Sequence, residues 1–304
     1  VAQVSTPATV GEATGLRLVR SDQPTHQQTQ EPATAREATG LRLVLVGWGA
    51  IARATARLLR DRGARVEIVA VAVRDPAKPR SGLPPEALVL TRPQELGQVE
   101  AEMVVEAAGR HTVVPWGRAA LSEGVDFVVT SVSAFAEPGV LDDLTQLAVR
   151  AGAQIHVPPG ALGGVDALAA ASKIGIDTVE HHIIKPPLAW LGTPAEDLCD
   201  LHALTGAEAF FSCTAREAAS RFPENANAAL TTALAGTGPQ TTRVTLIADP
   251  NAMVNRHEIR AEGQFGELSV VLRNKPLKEN PKSSALTALN LARCIENRLN
   301  PVVI

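Results

Sequence analysis

Leu41-Arg42-Leu43-Val44-Leu45-Val46-Gly47-Trp48-Gly49-Ala50-Ile51-Ala52 is the stretch that decides the fold. A short apolar run closed by glycine reads as a strand covered on both faces. Gly47, Gly49 and Ala52 then carry the spacing G-x-G-x-x-A, the alanine-ended form of the dinucleotide fingerprint. The first glycine permits a tight turn, the second lets the backbone approach a diphosphate, and the small third residue lets a helix pack against the strand. N–H groups at the start of that helix, around Ala50 and Ile51, face the phosphates. A helix is predicted from Ala50 to Arg62 and a second strand from Val66 to Val73. Together they make a βαβ unit of about 30 residues, the context that the motif requires.

The same rhythm continues outward. Strands are predicted at Glu102–Glu106, Asp126–Val129 and Gln154–Val157, with helices ending near Gly124 and spanning Gly139–Arg150. Alternating strands and helices predict a Rossmann-type, doubly wound parallel sheet of the α/β class. Beyond Pro158 the pattern changes: a helix over Gly163–Lys173, then strands at Thr178–Ile184, Arg243–Ala248, His257–Ala261 and Glu267–Leu272. Alternation such as His257-Glu258-Ile259-Arg260-Ala261 suggests an antiparallel sheet with one wet face, hence a second α+β domain. Asn280-Pro281 opens a last amphipathic helix over Ser283–Asn297. The expected organisation is a flexible extension at 1–40, a dinucleotide-binding domain at 41–160, an α+β domain at 161–280, and a C-terminal helix at 281–304 packing back on the first domain. Within the extension, Glu12–Val19 repeats as Glu37–Val44, and only the second copy leads into the glycine turn.

Composition narrows the function classes. The chain has 304 residues, 45% hydrophobic and 20% charged, with a net charge of −3, which gives no reason to expect nucleic acid or an anionic membrane as partner. Three scattered cysteines form neither a disulfide framework nor a metal pair, so a reducing cytoplasm is expected. Runs such as Val69–Val73 are too short to span a bilayer, and no secretory signal is expected.

The second strand lacks the acidic residue that usually takes the adenosine ribose. It ends in Ala72-Val73-Arg74-Asp75-Pro76. Asp75 serves if the register shifts, whereas the Arg74 guanidinium matches a 2′-phosphate, so NADP is expected to be accepted at least as readily as NAD. Ligands of open α/β sheets bind beyond the carboxyl ends of the strands. Glu106-Ala107-Ala108-Gly109 and Ser131-Val132-Ser133-Ala134 fall there, with small residues that let a flat ring pass the backbone.

Hydride transfer needs orientation and a proton handler, for which histidine is suited. Seven histidines are present. His26 falls in the extension and His156 precedes the change of domain. His181 and His182 occupy consecutive strand positions, so only one can face a given cleft. His257 follows a polar loop and enters a strand.

Further motifs narrow the choice. Pro158-Pro159-Gly160-Ala161-Leu162-Gly163-Gly164-Val165-Asp166-Ala167, Phe222-Pro223-Glu224-Asn225-Ala226-Asn227, Asn255-Arg256-His257-Glu258, Gly263-Gln264-Phe265-Gly266 and Asn280-Pro281-Lys282-Ser283-Ser284 join the glycine turn and the Ser131–Ala134 segment in one pattern. That pattern resembles the L-aspartate dehydrogenase family over residues 41–304. The resemblance implies NAD(P)-dependent oxidative deamination of L-aspartate to oxaloacetate and ammonia through iminoaspartate, which also feeds NAD biosynthesis. It implies a substrate cleft between the Rossmann domain and a second domain, and a homodimer. By the same resemblance the active-site histidine falls on His257, and nicotinamide-cofactor contacts fall on Ala134 and Asn227. Ala52 and Ser133 depart from the family's usual glycines; Ser133 adds bulk beside the cofactor.

The expected mechanism uses His257 as acid and base, with a pKa of about 6.5, to manage the amine proton and then to activate water against the imine carbon. Lys185, Lys282 and Ser283, with Ser284 beside it, are candidates for the two substrate carboxylates. Asn225 and Asn227 sit two apart and so do not share a helix face. Two other classes fit the two-domain plan: a reductase of a cyclic imine or semialdehyde, as in dihydrodipicolinate reductase and homoserine dehydrogenase, and a non-catalytic nicotinamide-binding sensor.

Overall fold

The computed structural model describes residues 40–223 and 226–304, apart from the side chains of residues 226, 281 and 282. The expected extension with its first Glu-Ala-Thr-Gly-Leu-Arg-Leu-Val string, Asn225, and the Lys282 side chain lie outside the described residues.

The first half alternates strand and helix: β1 (Leu41–Val46), α1 (Ala50–Asp61), β2 (Val66–Ala72), β3 (Leu88–Leu90), β4 (Met103–Glu106), α2 (Arg110–Ser122), β5 (Asp126–Val129), α3 (Val140–Ala151) and β6 (Ile155–His156). These strands form one parallel sheet in the order β3-β2-β1-β4-β5-β6. That is the Rossmann order, whose direction reverses between β1 and β4 and opens a crevice there. Every residue of β4 and β5 is buried, as expected of strands covered by helices on both faces. Leu43, Leu45 and Val71 pack toward one layer of helix and Val44, Val46 and Val104 toward the other, following strand alternation.

The second half contains α4 (Val165–Ala171), β7 (Ile176–Lys185), β8 (Glu208–Thr214), α5 (Ala215–Arg221), α6 (Ala226–Ala235), β9 (Arg243–Ala248), β10 (Asn255–Gly263), β11 (Gly266–Asn274), the short hairpin β12 (Pro276–Leu277) with β13 (Asn280–Ser284), and α7 (Ala285–Glu296). Its main sheet has the order β11-β10-β7-β9-β8. The expectation of an antiparallel sheet needs correction, because β7 and β9 run parallel while the other pairs are antiparallel. A parallel neighbour requires a long crossover. Here β8, α5 and α6 supply it, and none of the three follows a simple apolar period.

Helix α7 also starts later than expected. Asn280-Pro281 belongs to a strand, and Ser284 caps the helix by accepting from the Leu286 N–H at 3.1 Å. The helix returns to the first sheet, where Leu291, Ala292 and Ile295 pack with Leu41, Leu43 and Leu45. This return carries Ser283, Ser284 and Thr287 to the mouth of the crevice. Among the described residues, no helix is long and apolar enough to cross a membrane.

Candidate active site

The turn after β1 is shaped for close approach. Gly47 has φ +97° and sits with its N–H on the Ala72 carbonyl at 2.8 Å, while the Ala107 N–H reaches the Val46 carbonyl at 2.8 Å. Gly49 caps α1, and a β-carbon there would meet nothing within 4 Å. That open space above a helix N-terminus is where a diphosphate fits. Ala52 is fully buried under the sheet-facing side of α1, as the small third position requires.

A cleft of about 820 Å³ runs from this turn along the end of β2. Arg53, Arg74, Lys78 and Arg80 line it, against the single carboxylate of Asp75. Asp75 Oδ1 accepts from the Ala77 N–H two residues on at 3.0 Å, and the Arg80 guanidinium bridges the carbonyls of Asp75 and Lys78. This end of the cleft is therefore cationic, and Arg74 is among the residues that line it.

A second cavity of about 340 Å³ shares Ala107 and Ala108 with the first. It brings together Ile51, Ala108, Lys185, Asn227, His257 and Ser283, all named from sequence. Gly47, Gly49 and Arg74 line the first cleft. Ala50 and Ala134 line neither: Ala50 starts α1 and packs near Leu277, and Ala134 is buried in the core.

Two features hold the loops at the end of β4 and β5. Glu106, fully buried at the end of β4, accepts from the N–H groups of Ala108 and Gly109, each at 2.8 Å, and of Ser131 at 3.0 Å. The Ser131 hydroxyl adds a bond at 2.9 Å, so one side chain ties the loops after β4 and β5 together. Asn227 Oδ1 accepts from the Ser133 N–H at 2.9 Å, fastening the start of α6 to the same loop. Neither Glu106 nor this use of Asn227 was apparent in the sequence, although a carboxylate ending an otherwise apolar strand was a signal.

The facing wall comes from β7 and β10. Residues 181, 183 and 185 point to one face of β7, and residues 255 and 257 to the same face of β10, by strand alternation and the pairing of His257 with Ile183. The Lys185 ammonium lies over the Trp190 ring, 5.1 Å from its centroid. His257 is 6% exposed, and its Nδ1 lies 3.0 Å from His181 Nε2. Burial, with the Lys185 charge adding, pushes the His257 pKa down to about 3. The expectation of an ordinary imidazole titrating near neutrality is thereby corrected: desolvation disfavours the charged ring. Among the described residues no cluster of histidine, cysteine or acid side chains is arranged to hold a metal.

Comparisons with known proteins match both halves of the chain. Residues 166–298 match the family model for the C-terminal domain of aspartate dehydrogenase, and residues 47–158 match the NAD-binding domain of homoserine dehydrogenase. The L-aspartate dehydrogenase of Brucella anthropi is 54% identical over 261 residues, covering 86% of this chain and 97% of that one. That of Cupriavidus taiwanensis is 43% identical, covering 86% and 98%. The crystal structure of aspartate dehydrogenase from Thermotoga maritima superposes with a TM-score of 0.70 at 25% identity, covering 87% of this chain and 99% of that one.

Proposed function

The chain belongs to the L-aspartate dehydrogenase family, and from that premise we propose that its cleft performs NAD(P)-dependent oxidative deamination of L-aspartate to oxaloacetate and ammonia through iminoaspartate. The observation that carries this reading is that the two cavities share Ala107 and Ala108 in their walls, which sets a dinucleotide turn beside a buried imidazole.

The glycine turn fits the cofactor: Gly49 leaves the cradle open, and Arg53, Arg74 and Lys78 surround the adenosine end. A nicotinamide held by this turn would supply the acceptor for the hydride of the substrate Cα. The protein's own residues do the rest. Gly47, Gly49 and Ile51 seat the dinucleotide, and Glu106 sets the loops on either side of the ring through its bonds to Ala108 and Ser131. Lys185 and Ser283 take the substrate carboxylates, a cation and a hydroxyl at one mouth of the cavity. Lys282, adjacent to Ser283 on β13, is assigned to the same task on chain position alone. His257 stands at the reacting carbon, where water adds to the imine and ammonia departs. Burial makes it a weak base, so the proton that the substrate ammonium must lose is assigned to solvent.

The protein is also read as a cytoplasmic homodimer. Three free cysteines suit a reducing compartment, and the family resemblance supports the dimer. Light scattering returning the mass of one chain would refute the dimer.

A spectrophotometric screen with both cofactors tests the function. NADPH or NADH is expected to appear with L-aspartate and not with homoserine, and tetrahydrodipicolinate is not expected to be reduced. Silence with L-aspartate under both cofactors would overturn the reading.

A further inference from the structure

Behind the cleft wall lies a chain of three polar groups with no contact to the cavity's contents except at one end. His257 pairs with Ile183 across the β7–β10 ladder, and His181 pairs with Ile259. The two imidazoles are therefore diagonal neighbours on one sheet face, within reach of each other. His257 Nδ1 lies 3.0 Å from His181 Nε2, and His181 Nδ1 lies 3.0 Å from Thr232 Oγ1 on α6. His181 and Thr232 are completely buried. His257 lines the cavity, and Nε2 is the ring nitrogen that His181 leaves untaken.

Counting protons fixes the direction of the chain. A neutral imidazole has one N–H and one lone pair, and a hydroxyl has one proton. If the Thr232 hydroxyl donates to His181 Nδ1, then His181 Nε2–H donates to His257 Nδ1, and the single proton of His257 lies on Nε2. Every buried donor is then used. The reverse order leaves the Thr232 proton enclosed without an acceptor, an arrangement folded proteins avoid. Thr231 shows the contrast, since its hydroxyl turns back to the Asn227 carbonyl at 2.9 Å, whereas Thr232 is committed to His181.

The surroundings oppose a second proton on either ring. Lys185 shares the face of β7 with His181, and His182 is the next residue on the strand. Burial first, then His257 and His182, hold the His181 pKa well below its usual value. The flanking charges of β10 lie on the opposite face, where Arg256 Nε and Glu258 Oε1 are 2.9 Å apart.

We propose that Thr232 and His181 form a tautomer lock, which holds His257 with its proton on Nε2 and presents the cleft with an N–H donor instead of a base. This rests on the reading of His257 as the group at the reacting carbon. Thr232 and His181 are positioning residues. The natural target of the donor is an oxygen: the keto oxygen of oxaloacetate, or the hydroxyl formed when water adds to the imine. The chain ends on a hydroxyl, so it orients without conducting; a proton drawn along it would leave an alkoxide.

The test is two-bond ¹H–¹⁵N correlation spectroscopy on the full chain labelled at histidine, without substrate. Both His257 and His181 are expected as Nε2–H tautomers across neutral pH. A His257 carrying its proton on Nδ1, or doubly protonated near neutrality, would overturn the proposal. His181→Gln retains an N–H donor and is expected to keep the His257 tautomer and the rate. His181→Phe is expected to mix the tautomers and to lower kcat for oxaloacetate amination on the order of tenfold or more, with cofactor KM unchanged. Thr232→Val removes the directing proton and is expected to mix the tautomers, which decides the matter if His181→Phe does not fold. An unchanged His257 tautomer in Thr232→Val would also refute the lock. Failure of aspartate turnover in the wild type would sink the functional reading and leave the spectrum to be judged by itself.

Discussion

Gly47 and Ala107 meet backbone to backbone where the strand order of the parallel sheet reverses: a β-carbon on Gly47 would stand 2.8 Å from the Ala107 carbonyl oxygen. Two nearby glycines therefore serve different ends. Gly47→Ala forces a side chain into a left-handed turn and against that carbonyl, so both stability and cofactor affinity should fall. Gly49→Ala meets no protein atom within 4 Å and should leave the melting temperature unchanged while weakening cofactor binding. Thermal denaturation and cofactor titration of the two variants separate these effects.

Arg74 and Lys78 line the cleft proposed for the adenosine, while one Asp75 oxygen accepts from the Ala77 N–H. Charge-assisted hydrogen bonds contribute about 1.5–3 kcal/mol. Arg74→Ser is accordingly expected to raise the KM for NADPH about ten- to a hundredfold, with little effect on that for NADH. Equal changes for the two cofactors would remove Arg74 from phosphate recognition.

Glu106 ties together the loops after β4 and β5, and each of its partners donates. Glu106→Gln puts an N–H₂ group among donors. Leaving a buried donor unmatched costs about 1–3 kcal/mol, so chemical denaturation should show a loss of that size, with weaker cofactor binding. Unaltered stability and affinity would show that the loops hold without it.

Acid should destabilise the protein partly through His257. Its folded pKa is about 3, so below the ordinary value of about 6.5 the unfolded chain binds the proton that the folded chain refuses. The stability associated with this ring is complete above that ordinary value and drains as pH falls toward about 3. His257→Phe should flatten the pH dependence of unfolding by up to ~1.4 kcal/mol per pH unit in that window. Parallel curves for variant and wild type would contradict the buried neutral ring.

The parallel sheet was legible in the sequence because β1, β4 and β5 are buried on both faces and read as plain apolar runs. The glycine turn was legible because few residues other than glycine tolerate its geometry. The crossover to β9 was not. Helix α6, Ala-Asn-Ala-Ala-Leu-Thr-Thr-Ala-Leu-Ala, is alanine-rich over most of its surface and lacks a one-sided stripe, and β8 is an edge strand with largely half-exposed residues. Within the site, His257, Lys185 and Ser283 were named from motif and chain position. His181 could not be chosen over His182, because only the register against β10 shows which one faces His257. The depressed pKa was equally invisible, since it comes from burial that the fold creates.

The central claim is that the dinucleotide turn and the His257 imidazole serve one reaction. It is tested most directly by initial rates of NAD(P)H formation from L-aspartate in the wild type and His257→Ala, with cofactor dissociation constants measured alongside. A fall of about 10²–10³-fold in rate, the cost of removing one preorganised donor, is predicted with cofactor affinity preserved. Equal rates for the two proteins would contradict it.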